Sequence, residues 1–347
     1  GMKGLLSYSG LTTKIRAMQG HLLNDRNFRE IVELPDVPSA VSYLKQQPSY
    51  AELFQGLEET ELHRGQIEQL LHLAVYRDFS KLYRFSNLEQ RKFLSSYFKR
   101  YEVAILKECL NKIFDHRDVS LNLSIYQDFF NRHSQLDLAL VTSSSSPEEL
   151  ISNLKGTEYY DPLMHLGTIE HPTLFDYEMT LDLYYFCHLW KQREKIARKK
   201  DLEELTKAWG SKFDMLNLQW IYRSKQYYHM TAADIYALII PVHYRLSQAE
   251  VQALVEAEDM EAFRQLIGKT YYAKHFEAFS AETMEAMYAQ IMKHILSTAS
   301  RSNPYSLATV YSYLYHKDHE INRLIIALEC VRYSISPDEA MQYVAKT

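Results

Sequence analysis

The clearest pattern of apolar and polar positions lies between Phe213 and Tyr228, in the stretch FDMLNLQWIYRSKQYY. Its apolar residues recur every three or four positions, which places them on one face of a helix. No Gly or Pro interrupts the stretch. Polar side chains stand among the apolar ones, and such groups are costly to bury unless they are paired or hydrogen-bonded. The pattern predicts a helix that carries polar groups on or beside its apolar face.

Two other stretches, YEVAILKECL and HEINRLIIAL, repeat part of this arrangement. In all three stretches an acid follows an aromatic ring or an imidazole and precedes a Leu by four positions. The acids are Glu102, Asp214 and Glu320, which are separated by 112 and 106 residues. This recurrence indicates an internal repeat of the whole chain.

A second landmark recurs upstream of each acid: a Leu, five further residues, and then a Tyr. The three pairs are Leu44 and Tyr50, Leu154 and Tyr160, and Leu266 and Tyr272. Two landmarks in the same order at nearly the same spacing predict three similar helical domains. Their expected ranges are 1–136, 137–245 and 246–347.

Local signals place several helix starts. Ser39 is expected to cap a helix through Leu44, and Ser146 with Pro147 is typical of a helix N-terminus. The pattern from Leu174 to Leu205 predicts continuous helix with a basic run near its end. Such a run is most simply a solvated face supported by acids one turn away, and the other interpretation is a contact for an acidic partner.

Composition narrows the classes of protein. Ten Gly and nine Pro in 347 residues favour long helices, so the fold class is all-α. The net charge of −5 provides no basic field for nucleic acid. The three cysteines have no metal-site spacing, which fits a reducing cytoplasm. The longest apolar run, Ile235 to Val242, is too short to span a membrane.

Two stretches imitate chemical motifs. Gly268, Lys269 and Thr270 match the tail of a phosphate-binding loop, but Phe263 stands where its first Gly belongs. The stretch HKDHE, which ends at Glu320, has neither of the zinc-protease spacings. We therefore expect no catalytic residues, no cofactor and no metal site.

Three motifs resemble a known family, the C subunits (also named d subunits) of the V-type rotary ATPases, vacuolar and archaeal. The stretch DMLNLQWIYRSK is similar to the family's acid-x-x-Asn-apolar … Arg-x-Lys helix, and KDHEINRLIIAL with SPDEAMQYV resembles its C-terminal helices. YSGLTTKIRAMQGHLL resembles its opening helix. The chain departs from the pattern at Ile105 and Arg323, which stand where the middle repeat has Asn217.

The resemblance implies a non-catalytic adaptor. In that family, the protein is an all-helical funnel of three domains with pseudo-threefold symmetry. It receives the central stalk and rests on the proteolipid ring of the membrane sector, and so transmits torque for proton or sodium transport. By this resemblance the partners are the central-stalk subunits and the ring, and the location is cytoplasmic, peripheral to the membrane.

The acid-bearing helices are the candidate partner-binding elements, because they combine apolar spacing with charge. The candidate residues are Asp214, Asn217, Arg223, Lys225, Glu102 and Glu320. The other interpretation is that Asp214 and Arg223 are paired inside the protein. Two other functions also stay open: a helical-repeat scaffold for soluble partners, and an all-α enzyme whose site is scattered in sequence.

Overall fold

The computed structural model describes residues 2–116 and 123–346, and side chains from Gly10 onward. Within these residues every regular element is helical and no strand occurs, so the predicted all-α fold class is confirmed. The helix expected to start the chain is α1, Met2–Gln19. It precedes a succession of elements that occurs three times.

Over the described residues after α1, each predicted domain range contains the same succession of α-helices: three short, two long and a further short one. The first set is α2 Asp25–Val32, α3 Val37–Lys45, α4 Ala51–Phe54, α5 Arg64–Arg84, α6 Leu88–Phe114 and α7 Gln127–His133. The second set is α8 Leu138–Thr142, α9 Pro147–Asn153, α10 Tyr160–Leu166, α11 Leu174–Ile196, α12 Lys199–Gln226 and α13 Ala232–Tyr236. The third set is α14 Gln248–Val255, α15 Met260–Gly268, α16 Tyr271–His275, α17 Met284–Ser302, α18 Leu307–Arg332 and α19 Pro337–Ala345.

By internal contacts the chain forms two compact units. One comprises Gly1–Arg91 together with Lys293–Thr347, and the other comprises Lys92–Met292. In the first unit, α18 packs on α2, α3, α5 and α19. In the second, α12 packs on α11 and α14. The division into three domains with a threefold axis remains a prediction.

The helix starts follow local side-chain chemistry, with one correction. Ser146 caps α9 by accepting a hydrogen bond from the Glu149 amide, as predicted. The cap of α3 is Asp36, which accepts the Ser39 amide at 2.9 Å, so the assignment of Ser39 as the cap was wrong. Asp36 precedes a Pro at the second helical position, where a missing amide costs nothing.

The predicted helix from Leu174 to Leu205 is interrupted between α11 and α12. Ala197 and Arg198 are extended, and Lys199 has a left-handed φ of 54°. The basic run therefore lies at a corner between two long helices. Lys200 lies 3.6 Å from Glu203 there, an exposed pair of the kind that stabilises a helix only weakly.

Candidate functional site: three buried carboxylates

The three recurring acids lie near the middle of the three long helices α6, α12 and α18. Each is buried: Glu102 is 5%, Asp214 0% and Glu320 4% exposed. A buried carboxylate is unfavourable unless donors surround it. In each case donors come from the segment that leads into the next repeat and from the short helices of that repeat. We call each acid with its donors a clasp.

The first clasp is centred on Glu102. The Tyr159 hydroxyl donates to Glu102 Oε1 at 3.0 Å, and the Ser134 hydroxyl donates to Oε2 at 2.5 Å. Burial raises the pKa of Glu102, while the Ser134 hydrogen bond and the charge of Lys99 oppose that shift. The donors tie α6 to the chain just before α8 and to the residue that precedes α10.

The second clasp is centred on Asp214. The Tyr272 hydroxyl donates to Oδ2 at 2.6 Å, and the Arg245 and Tyr244 amides donate at 2.7 and 3.1 Å. Burial raises the pKa of Asp214 in spite of these bonds. Gly210 lies one turn earlier on α12, and a Cβ there would lie 2.5 Å from the Tyr244 ring. Only Gly lets this loop approach α12 closely enough to deliver its amides.

The third clasp is centred on Glu320. The Leu23 amide donates to Oε1 at 2.6 Å, and the Tyr50 hydroxyl donates to Oε2. Lys317, which is 1% exposed, donates to the same Oε2 at 3.2 Å and to the Tyr50 hydroxyl at 3.2 Å. Asp78 Oδ2 lies 3.9 Å from the Lys317 ammonium. This clasp therefore contains two carboxylates and one ammonium.

The three clasps share one connectivity. The tyrosine follows the acid by 57 residues in the first clasp and by 58 in the second. In the third, the two residues are 270 apart, because Glu320 near one end of the chain meets Tyr50 near the other. Each acid helix thus receives the short helices of the next repeat, and the last acid helix receives those of the first.

The middle tyrosine landmark needs a correction of one residue. Tyr159, and not Tyr160, donates to the acid and is 1% exposed. Tyr50 and Tyr272 stand where the landmark placed them, and both are fully buried. Sequence reasoning found these tyrosines as markers of a repeat but did not assign them to the acids, since nothing in a sequence pairs residues 57 or 270 positions apart.

Asn217, the next candidate, serves as a backbone partner. Its side-chain amide donates to the Ile240 carbonyl at 2.9 Å and accepts the Ile240 amide at 2.9 Å. The equivalent positions use different chemistry. Ile105 is buried in the core, and Arg323 packs over the Phe28 ring at 4.2 Å and pairs with Asp25 at 3.0 Å. The departures from the family pattern therefore change the local partners of this position.

Arg223 and Lys225 lie near the C-terminal end of α12. Arg223 pairs with Glu285, and its side chain is 48% exposed. Lys225 donates to the carbonyls of Val255 and Ala257 at 2.8 and 2.9 Å, and these carbonyls end α14. A cation is favourable at that end of a helix because the unpaired carbonyls carry negative charge. Asp214 and Arg223 therefore each have a partner within the chain, but not one another.

These two neighbours provide a test of local energetics. We expect Lys225→Met to lower the free energy of unfolding by about 1 kcal/mol, because two carbonyls at the end of α14 lose their donor. Arg223→Ala should cost less than about 0.5 kcal/mol, since an exposed ion pair contributes little. Chemical denaturation of both variants measures the difference. Equal effects would contradict the assigned role of Lys225.

The two imitations of chemical motifs have structural explanations. Gly268 ends α15, and the Thr270 side chain caps α16 by accepting the Ala273 amide. In HKDHE, the His316 ring bonds the Ser312 carbonyl one turn back at 2.6 Å, while Glu320 belongs to the third clasp. Among the residues with described side chains, no cluster of three or more His, Cys, Asp and Glu could hold a metal ion.

The described helices include none that is long and apolar enough to cross a membrane. The chemistry of the clasps is structural: each carboxylate accepts bonds from hydroxyls, amides or an ammonium of its own chain. What the arrangement accomplishes is to fix long helices to the short helices of the next repeat.

Comparisons with known proteins agree with the family resemblance. Residues 11–343 match the sequence model of the ATP synthase (C/AC39) subunit family. The C subunit of the A-type ATP synthase of Pyrococcus abyssi is 24% identical, over 98% of this chain and 90% of that protein. The corresponding C subunits of Methanosphaera stadtmanae and Methanosarcina acetivorans are 21% and 23% identical, over 96% and 93% of this chain and 86% and 89% of those proteins. The chain belongs to the ATP synthase (C/AC39) subunit family.

Proposed function

We propose that this chain is a non-catalytic subunit of an ion-translocating rotary ATPase, where it joins the central stalk to the proteolipid ring and passes torque between them. The observation that carries the proposal is the family match over residues 11–343, which includes all three acid-bearing helices. Its similar relatives are named as C subunits of A-type ATP synthases. On this proposal the chain is cytoplasmic and reaches the membrane only through its partners.

The clasps suit an element that carries load. A part that passes torque must resist deformation, and close-packed helices with saturated hydrogen bonds provide stiffness. Each clasp joins a long helix to the following repeat through bonds that solvent does not reach. The buried acids Glu102, Asp214 and Glu320, and the buried Asn217, therefore support the partner-binding surface from inside in this proposal.

The proposed partner surface lies at the ends of the acid helices. Tyr227 and Tyr228 follow α12 and are each 63% exposed, and Tyr333 follows α18 and is 65% exposed. Large aromatic side chains with a polar tip are enriched at protein interfaces. Arg223, half exposed one turn before Tyr227, is the candidate from the sequence that remains accessible for a partner.

The test is reconstitution of the rotary complex with and without the chain. We expect the purified chain to bind the central-stalk subunits and to restore ATP-driven ion uptake in vesicles that hold the membrane sector. Without the chain, the catalytic part should hydrolyse ATP with no ion uptake. Full coupling without the chain would contradict the proposal and favour the scaffold for other soluble partners.

A surface variant sharpens this test. Tyr228→Ala should weaken binding to the stalk and ring subunits while the melting temperature stays unchanged, because the side chain is exposed. Ile169→Ala, which changes a residue that is 54% exposed elsewhere, is the matched control and should bind normally. Equal binding by the two variants would exclude Tyr228 from the interface.

A further inference from the structure

The third clasp differs from the other two in where its parts lie along the chain. Its acid is on α18, while its donors Leu23 and Tyr50 flank the helices α2 and α3 near the other end. We call residues 25–54, which contain α2, α3 and α4, the strap. We propose that the strap unlatches from α18 as a unit while the first and second clasps stay closed, so that the joint between the chain ends closes last and opens first.

The length of chain between the partners favours late closure. The probability that two points on a flexible chain meet falls with about the 3/2 power of their separation. A separation of 270 residues instead of 57 makes that encounter about tenfold less probable. The first and second clasps therefore form early, between neighbouring repeats, and the third clasp must wait for both chain ends.

The chemistry of the third clasp also favours early opening. Glu102 and Asp214 accept bonds from neutral hydroxyls and amides. Glu320 instead shares the buried Lys317 ammonium with Asp78. Burying two carboxylates around one ammonium incurs a desolvation cost that their attraction offsets only in part. Release of the strap returns part of that charge to water.

The rim of the strap adds little to hold it. Arg29 pairs with Asp338 of α19 at 2.6 Å, and Asp25 pairs with Arg323 of α18 at 3.0 Å. The two carboxylates are 87% and 86% exposed. Ion pairs this exposed contribute weakly and are screened by salt. The strap is therefore held mainly by its apolar side chains and by the clasp itself.

Apolar packing makes the strap a cooperative element. Phe28, Val41, Leu44 and Phe54 are 0% exposed, so the strap cannot fray residue by residue without exposing its core. Opening must then move α2, α3 and α4 together, as a local unfolding unit below the global transition. This opening is independent of the proposed role in a rotary complex, since it requires no partner.

The experiment is native-state hydrogen exchange on the full-length chain, resolved by peptide mass spectrometry. The segments compared are equivalent: α3 and α4 in the strap, and α15 and α16 in the third repeat. We expect strap amides to exchange at least about tenfold faster than those of α15 and α16. Fraying of the chain end is a separate process, because the amides of Val41 and Leu44 lie well inside the chain.

A matched pair of variants removes one hydroxyl from each clasp. Tyr50→Phe should speed exchange of α3 and α4 by about tenfold and leave α15 and α16 unchanged. Tyr272→Phe should not change exchange in the strap. Raising the salt concentration should speed exchange in the strap alone.

Two outcomes would overturn the proposal. One is equal protection of the strap and of α15 and α16 in the unaltered protein. The other is a Tyr50→Phe variant that speeds exchange throughout the chain by the same factor, since the strap would then open only with global unfolding. Loss of complex assembly with intact strap exchange would contradict the proposed function and leave this inference standing.

Discussion

Asp214→Ala should lower the melting temperature by roughly 5 to 10 °C. The substitution removes the acceptor of three donors, the Tyr272 hydroxyl and the Tyr244 and Arg245 amides, in a site that is 0% exposed. Each buried donor left without a partner costs about 1 to 3 kcal/mol. We therefore expect a total loss of about 4 kcal/mol, measured by calorimetry and by chemical denaturation.

The control for this variant is Asp161→Ala, an exposed acid in the first turn of α10. It should cost less than about 1 kcal/mol, through its weak interaction with the helix dipole. The folded fraction of Asp214→Ala should still bind the central-stalk subunits with normal affinity. An Asp214→Ala variant that keeps its melting temperature but binds the stalk weakly would instead show that Asp214 contacts the partner.

How far the sequence predicts this structure depends on the range of the interaction. The all-α class and most helix starts follow from local chemistry, such as the cap of α9 at Ser146. The recurrence of Glu102, Asp214 and Glu320 also follows, because a repeat is visible as spacing. Every clasp donor described above lies at least 30 residues from its acid, apart from Lys317, and no local pattern encodes such contacts.

The misplaced features have a common physical reason. The break between α11 and α12 carries no Gly or Pro, and its left-handed residue is Lys199. The long helices likewise end at left-handed residues that are not glycine: His116, His229 and Ser334. Such residues adopt this conformation only when packing imposes it. Tertiary contacts therefore set these ends.

The candidate site shows the same division between local and distant information. Apolar spacing with interspersed charge correctly marked the acid helices, but spacing alone does not show which side of a helix is covered. Asp214 and Asn217 are covered by a segment that follows α12, whereas Arg223 near the end of that helix stays half exposed. The polar residues that pattern reading assigned to a partner are largely satisfied by the chain's own backbone.

Lys317→Met should be the most destabilising substitution in the third clasp. It leaves the carboxylates of Glu320 and Asp78 buried without their ammonium, and removal of one partner from a buried charge cluster costs about 3 to 5 kcal/mol. Chemical denaturation near neutral pH measures the loss. A second variant, Lys317→Met with Glu320→Gln, should recover part of it, because one of the two uncompensated charges is gone.

The loss should also depend on pH, with a definite sign. Burial already raises the pKa of Asp78, and the charge of Lys317 is the largest influence opposing that shift. Without Lys317, the pKa of Asp78 in the folded protein rises further above its unfolded value. Between these two pKa values the folded state binds more protons than the unfolded state, so stability falls as pH increases. The destabilisation of Lys317→Met should therefore be complete above the folded pKa and shrink as pH falls through it. A loss that stays constant from neutral to mildly acidic pH, or that grows on acidification, would show that Lys317 stabilises the strap by packing and not by its charge.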